Sequence, residues 1–228
     1  MKTFILLILT ITYLTQNNLN AQGCYFGSGA LLAHNITNTS GNVHFDQINI
    51  REYNLLTDVF GVYPDFYYLY DTGAPNAYAT PENFIGTNSD GTIMLGFNLI
   101  HSECGRSISR TCSSIPIILA HEFGHILDFK YGTGLTGKNK ELFADFIAGS
   151  YLYYRANMIG RLNIQEVAYS FFEKGEYNFN HPNHHGTPHQ RYACLNAGYT
   201  LAQQNAINGQ HLSIQTLMFL AVQFTSQL

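Results

Sequence analysis

The chain of 228 residues is long enough for one domain of ordinary size, and its 46% hydrophobic and 14% aromatic content can fill a substantial core, which excludes a disordered protein. Only 11% of the residues are charged, and 11 Lys and Arg against 15 Asp and Glu give a formal charge of -4. The sequence therefore offers no basic surface for a nucleic-acid partner.

Residues 1–21 have the shape of a signal peptide. Lys2 precedes an apolar run over 4–14, and a polar stretch then ends at Ala21. No later segment reaches the roughly 18 apolar residues that a transmembrane helix needs. We therefore expect cleavage near Ala21 and an exported protein (periplasmic, extracellular or at the surface) without a transmembrane helix. A lipid anchor on Cys24 is the alternative, although the usual upstream Leu is missing.

The four cysteines of an exported chain are expected to form disulfides rather than to bind metal, because none lies in a C-x-x-C pair. Three connectivities fit Cys24, Cys104, Cys112 and Cys194. A bond between Cys104 and Cys112 would close a short loop, but the sequence leaves the pairing open.

The predicted elements indicate an α+β fold in a single domain over residues 22–228, since no repeat or composition break divides it. Apolar spacing predicts a first helix over 50–60, after a less readable stretch over 27–48. Runs bounded by Pro, Gly, Asp or Asn predict a small sheet with strands at 66–70, 76–80 and 92–100. Helices are then predicted from a cap at Ser113 or Ser114 to Gly132, and at 140–156, 164–173, 187–203 and from 213 onward.

The helix predicted to end at Gly132 carries the pattern H-E-x-x-H as His121, Glu122 and His125. Spacing of four places both imidazoles on one helix face, where they can bind one metal ion. Glu122 is rotated about 100° from His121, beside the metal, and can act as a catalytic base. A chance match on a solvated helix turn is the alternative, but the apolar stretch before His121 predicts a buried helix, where these groups would be costly without a function.

A zinc site needs a third protein ligand, which the sequence offers on the next predicted helix. The extended pattern with a third His fails, because Asp128 and Tyr131 stand at its last two fixed positions. Glu141 and Asp145 lie four positions apart and share a helix face, so Glu141 can bind the metal while Asp145 accepts a hydrogen bond from a ligand His. Acidic residues that merely favour the first turn of a helix are the alternative.

These motifs resemble the gluzincin metallopeptidases, the thermolysin-like group with H-E-x-x-H and a Glu on a following helix. Residues 141–151 are similar to the E-L-x-A-D-x-x-A-G segment of small neutral zinc metallopeptidases of bacteria. Residues 76–81 and 91–100 are similar to the N-A-F-A region of soluble relatives of the CAAX prenyl proteases. The resemblance covers residues 63–198.

The resemblance implies a minimal zincin-like domain that acts as a secreted zinc-dependent endopeptidase on peptides or unfolded proteins. It implies one Zn²⁺ per chain, bound by His121, His125 and Glu141, with Glu122 as the catalytic base and a zinc-activated water as the nucleophile. It also implies that an edge strand lines the active site and pairs with an extended substrate, here through Asn76, Ala77, Tyr78 and Ala79. An ordinary edge strand is the alternative.

The last motif is the His-rich segment 181–191. Its H-G-T-P-x-Q-R part is similar to a segment of the small bacterial metallopeptidases, and its His-Pro start to one of the prenyl-protease relatives. His185 or His181 could stabilise the oxyanion, whereas Arg191 is expected to anchor the following helix. A capped loop and a weak surface metal site are equally compatible.

Two other functions use the same residues. The first is a zinc amidase or other zinc hydrolase on the same scaffold, which pocket shape would distinguish. The second is a non-catalytic metal-binding module, against which the intact Glu122 argues, because a structural site has no use for a base that is not a ligand.

Overall fold

The computed structural model describes residues 35–71, 75–84, 88–107, 112–160, 162–175 and 185–228. The expected signal peptide, Cys24 and His181 lie outside the described residues. Within the described ranges the chain forms four strands and seven helices, which confirms the predicted α+β class. These are β1 (Ile36–Thr37), α1 (Val43–Phe60), β2 (Asp65–Leu69), β3 (Ala77–Thr80), β4 (Thr92–Gly96), α2 (Phe97–Arg106), α3 (Ser114–Tyr131), α4 (Lys138–Met158), α5 (Ile164–Glu173), α6 (Pro188–Ile207) and α7 (Ile214–Thr225).

The small sheet has the strand order β1-β2-β4-β3. The central strands β2 and β4 are parallel, whereas β1 and β3 are antiparallel to their neighbours. Within the described part of the chain, β3 is thus an edge strand, as predicted for residues 76–80, and Ala77 and Ala79 belong to the same core as the α3 residues Ile117 and Leu119.

The predicted strand over 92–100 is wrong in its second half, which forms the start of α2. The strand ends at Gly96, where a Cβ would approach the carbonyl oxygen of Asn76 to 2.5 Å and the carboxylate of Asp71 even more closely. Asp71 also accepts a hydrogen bond of 2.8 Å from the backbone N–H of Asn98 in the first turn of α2. The helix therefore starts because a residue distant in sequence satisfies an N–H group that a helix leaves free.

Helix α4 runs through the centre of the helical part, and glycines let its neighbours approach closely. A Cβ at Gly124 of α3 would lie 2.8 Å from the Cα of Ala144 in α4. On the other side, added Cβ atoms at Gly149 and Gly198 would collide with backbone carbonyls of α6 and α4. The spacing of α3, α4 and α6 is therefore set by backbone contact rather than by long side chains.

An ion pair joins α1 to the far end of α4. The Nε of Arg155 donates to both carboxylate oxygens of the buried Glu52 at 2.9 Å, and the Tyr151 hydroxyl donates to the same carboxylate at 2.5 Å. This contact fixes α1 against the core. Arg155 lies ten residues after Asp145 on α4, so the ion pair is separate from the site around Asp145.

Cys104 and Cys112 form a disulfide that links the last turn of α2 to the segment just before α3, two residues ahead of its start. The pairing of Cys104 with Cys112, which the sequence left open, is thus present, whereas the expectation that all four cysteines form disulfides is wrong for Cys194, whose thiol is buried and free. A disulfide is consistent with an exported protein. Among the described residues, no helix combines the length and the apolar character needed to cross a membrane.

Candidate metal site

Helix α3 places His121 and His125 together in the protein interior. All its residues from Ser114 to Asp128 are buried, and His121 and His125 expose 2% and 0% of their surface. Their Nε2 atoms are 3.2 Å apart. The helix ends where the sequence predicts, because Gly132 adopts a left-handed conformation (φ 70°) and caps it.

Helix α4 brings Glu141 to the same point. Its carboxylate oxygens lie 3.4 Å from the Nε2 of His121 and 3.5 Å from that of His125. The donor atoms of His121, His125 and Glu141 all lie within 4.8 Å of one another and are buried, so the three residues could hold one metal ion. The predicted set of ligands is therefore brought together by the fold.

The electrostatics of the cluster favour metal binding. Burial lowers the pKa of His125 to about 4, so its imidazole is neutral at pH 7 and keeps a lone pair for a metal. Burial alone would raise the pKa of Glu141, but the imidazoles of His125 and His121 and the charge of Arg191 outweigh it, and the pKa lies below its ordinary value. Two imidazole nitrogens and one carboxylate are a donor set that suits zinc and similar divalent ions.

Asp145 stands one turn beyond Glu141 and orients His121. The Nδ1–H of His121 donates to Asp145 Oδ1 at 2.8 Å, which leaves Nε2 to face Glu141 and His125. Asp145 is fully buried. Burial opposes its ionisation, but Arg191 and His121 more than offset this effect and hold the pKa of Asp145 below its usual value. The structure thus places Asp145 where the sequence predicts a hydrogen-bond acceptor for a ligand His.

Arg191 has a role that the sequence analysis missed. Arg191 anchors α6, as the sequence predicts, but through a partner that the sequence does not reveal: its Nε and Nη2 donate to the two oxygens of Asp145 on α4 at 2.8 Å each. Asp145 and Arg191 thereby neutralise each other, so the ionised Glu141 leaves a negative charge in the cluster that a bound cation would compensate.

The turn and the helix cap of segment 185–191 position Arg191. Gly186 has a φ of +95° and lies against Leu142, where a Cβ would come within 2.9 Å of a methyl group. Thr187 and Gln190 form a capping box at the start of α6, and Pro188 occupies its first turn. The H-G-T-P-x-Q-R segment therefore contains a tight turn, the start of a helix and a buried arginine. This confirms the capped-loop interpretation for residues 186–190.

A narrow cavity of about 10 Å³, enough for roughly one water molecule, lies between the start of β3, the ligand helix α3 and residues of α2, α5 and α6. Asn76, Ala77, His121 and Glu122 contribute to its lining, so the predicted base and the start of the predicted edge strand share one space. Asn76, Ala77, Tyr78 and Ala79 are all buried. The substrate role of this strand stays a prediction.

Lys174 and His185 are the two further residues to be placed relative to the cavity. Lys174, which the sequence analysis did not single out, lines it, and its ammonium donates to Glu103 at 2.6 Å and to the Ser170 hydroxyl at 2.8 Å. His185 is buried but is not among the described residues that line the cavity. Its proposed part in oxyanion stabilisation therefore stays a prediction.

Comparison of the chain with protein-family models, with characterised proteins and with solved structures found no significant match. The assignment of a function consequently depends on the residues of the site themselves.

Proposed function

We propose that the chain is an exported zinc-dependent endopeptidase. The observation that carries the proposal is the buried convergence of His121, His125 and Glu141, with Glu122 on the same turn of α3 and lining the adjacent cavity. A purely structural metal site would explain the three ligands. It gives no reason for the fully buried carboxylate of Glu122 beside them, which is not a ligand.

Zinc, when bound, would supply Lewis-acid polarisation of a scissile carbonyl and acidify the attacking water. His121, His125 and Glu141 would hold it. Glu122 would accept the proton of the water and return it to the departing amine nitrogen. Asp145 holds the tautomer of His121 that offers Nε2 to the metal. These roles together describe hydrolysis of an amide bond.

Strand β3 supports a peptide as the substrate. It is an edge strand, and its beginning lines the same cavity as Glu122. An extended peptide that adds to such an edge gains backbone hydrogen bonds, which favours flexible or unfolded chains over folded ones. Since the cavity has room for roughly one water, binding of a peptide would require the surrounding residues to move apart.

That small cavity volume also favours a second candidate, a zinc amidase that acts on a small amide. Such an enzyme would use the same ligands and the same base. Hydrolysis of small amide substrates, without cleavage of unstructured proteins, would distinguish it from an endopeptidase.

The decisive experiment uses Glu122→Gln. We expect this variant to keep stoichiometric zinc, because His121, His125 and Glu141 remain, while hydrolysis of an unstructured protein falls by about 10²–10⁴-fold or more. Glu52→Gln, a change of the same kind at another buried glutamate, is the matched control and should leave turnover per folded molecule unchanged. Equal cleavage by wild type and Glu122→Gln at equal zinc content would refute the proposed mechanism, and absence of zinc from the wild type would refute the metal site.

A further inference from the structure

Arg191 and Asp145 form a buried, two-pronged ion pair behind the metal ligands. Asp145 is fully buried and Arg191 is 3% exposed, and the two hydrogen bonds between them are both 2.8 Å long. A planar guanidinium that binds both oxygens of a carboxylate fixes the plane of that carboxylate, which a lysine ammonium cannot do.

The orientation of this carboxylate matters because one of its oxygens serves two partners. Oδ1 of Asp145 accepts from Arg191 Nη2 and from His121 Nδ1, each at 2.8 Å. Rotation of the carboxylate about the Cβ–Cγ bond of Asp145 would misalign its hydrogen bond with His121. The ring of His121 would then lose the constraint that directs Nε2 toward Glu141 and His125.

Arg191 is itself held from three sides. Its Nη1 donates to the carbonyl of Lys174 at 3.4 Å, and its guanidinium carbon lies 5.9 Å from the ring centre of Phe171. Phe171 also packs edge-on against His121, with ring centres 6.0 Å apart. The capping box of Thr187 and Gln190 fixes the first turn of α6, to which Arg191 belongs. The guanidinium is therefore a fixed support rather than a mobile counter-ion.

We propose that Arg191 is a positioning residue of the metal site: it holds Asp145, Asp145 holds the imidazole of His121, and metal affinity depends on this chain of contacts. The inference depends on the metal site of the proposed function but not on peptide hydrolysis. It gives α6, the second helix after α4, a part in binding the metal although α6 carries none of the ligands.

The test measures metal binding in Arg191→Lys. This variant keeps the positive charge but loses the planar guanidinium that binds both oxygens of Asp145. Affinity for Zn²⁺ is obtained by competition with a chelator, and the visible absorption of the Co²⁺-loaded protein reports the ligand geometry. We expect Arg191→Lys to bind Zn²⁺ about 10–100-fold more weakly and to shift the Co²⁺ spectrum, as expected when a group behind a ligand His is removed. Asp145→Asn should have an effect of similar size, and the double variant should lose little more, because both changes break one chain of contacts.

Arg155→Lys is the matched control. Arg155 lies on α4 and its Nε donates to both oxygens of the buried Glu52, so this variant alters another buried arginine–carboxylate pair, one that lies away from the ligands and in which a single arginine nitrogen reaches the carboxylate. It should lower the stability of the protein without changing Zn²⁺ affinity or the Co²⁺ spectrum. If Arg155→Lys weakens metal binding as much as Arg191→Lys does, the effect is a general loss of rigidity and the inference is overturned.

Other outcomes decide the inference as well. A folded Arg191→Lys with wild-type Zn²⁺ affinity overturns it, and so do losses that multiply fully in the double variant, since Arg191 would then act independently of Asp145. If Arg191→Lys does not fold, Asp145→Asn and Asp145→Asn/Arg191→Gln are compared instead. Their affinities should be equal, and weaker binding by the latter overturns the inference. Tight, Arg191-dependent metal binding without any hydrolysis would refute only the peptidase.

Discussion

Gly124 lies where α3 and α4 come closest, one residue before the ligand His125, and its replacement by alanine tests whether this spacing sets the metal site. An added Cβ would lie 2.8 Å from the Cα of Ala144, whereas ordinary contact begins at 3.4 Å, so the helices would have to separate by about 0.6 Å. Glu141 stands three positions before Ala144 and would move with it. A displacement of this size exceeds the roughly 0.5 Å within which a metal site tolerates misplacement.

Two opposing energies act on the fold of Gly124→Ala. Overpacking of a core contact costs about 1–3 kcal/mol. Removing a glycine from a helix interior gains about 0.8–1 kcal/mol. The net loss of stability should therefore be small, about 0–2 kcal/mol, while Zn²⁺ affinity falls clearly. The variant is thus expected to fold and to bind metal poorly.

The assay combines thermal unfolding of the metal-free protein with Zn²⁺ affinity measured by chelator competition. Gly105→Ala is the control, because Gly105 also lies in a helix but an added Cβ there would meet nothing within 4 Å. It should leave Zn²⁺ affinity unchanged and the stability equal or slightly higher. If Gly124→Ala bound Zn²⁺ as tightly as Gly105→Ala does, the idea that helix contact sets the position of Glu141 would be refuted.

The remaining predictions concern ligands, pH and export. Glu141→Gln should lose most of its zinc and Asp145→Asn should bind it about 10–100-fold more weakly, as elemental analysis and chelator competition would show, and full zinc content in Glu141→Gln would contradict the ligand set. Burial acts to raise the pKa of Glu103, but Lys174 outweighs it and the pKa lies below the ordinary 4.5, so this carboxylate stabilises the fold above about pH 4.5 and ceases to do so as the pH falls through its lowered pKa. Unfolding of the chelated protein between about pH 6 and pH 3 should therefore show a steeper loss of stability for wild type than for Glu103→Gln, and equal slopes would count against this role. The mature N-terminus should lie at or near Gln22 with Cys24 free of lipid, which mass spectrometry of protein from its native host would show, whereas a diacylglyceryl group on Cys24 would establish the lipid anchor.

Elements whose ends depend on local chemistry could be predicted from the sequence. The helix of the metal ligands ends at Gly132, and α5 spans the predicted 164–173 because the Asn163 side chain caps its first turn. Glu141 could be predicted because two histidines at metal-binding spacing imply a further ligand, and the next predicted helix offers one.

Features that depend on contacts distant in sequence could not be predicted. The sequence predicts α2 as the continuation of a strand, because the first turn of α2 depends on a bond from Asn98 to Asp71, 27 residues earlier. The bond between Arg191 and Asp145 spans 46 residues and joins two helices, α6 and α4, that are in close backbone contact at glycines. No periodicity or cap in the sequence reports such a contact, so Arg191 could be assigned only to its own helix.

The residues that build the metal site are spread widely along the chain, with consequences for the order of folding. His121 lies on α3, Glu141 and Asp145 on α4, and Arg191 on α6, with α5 between α4 and α6 in the chain. A polypeptide that has emerged only as far as α4 would carry every ligand but would lack the arginine that completes the arrangement. Contacts of such high sequence separation form late, because closing long loops costs entropy before the contact stabilises anything. Acquisition of tightly bound metal should therefore mark the end of folding, and a chain truncated before α6 should bind it only weakly.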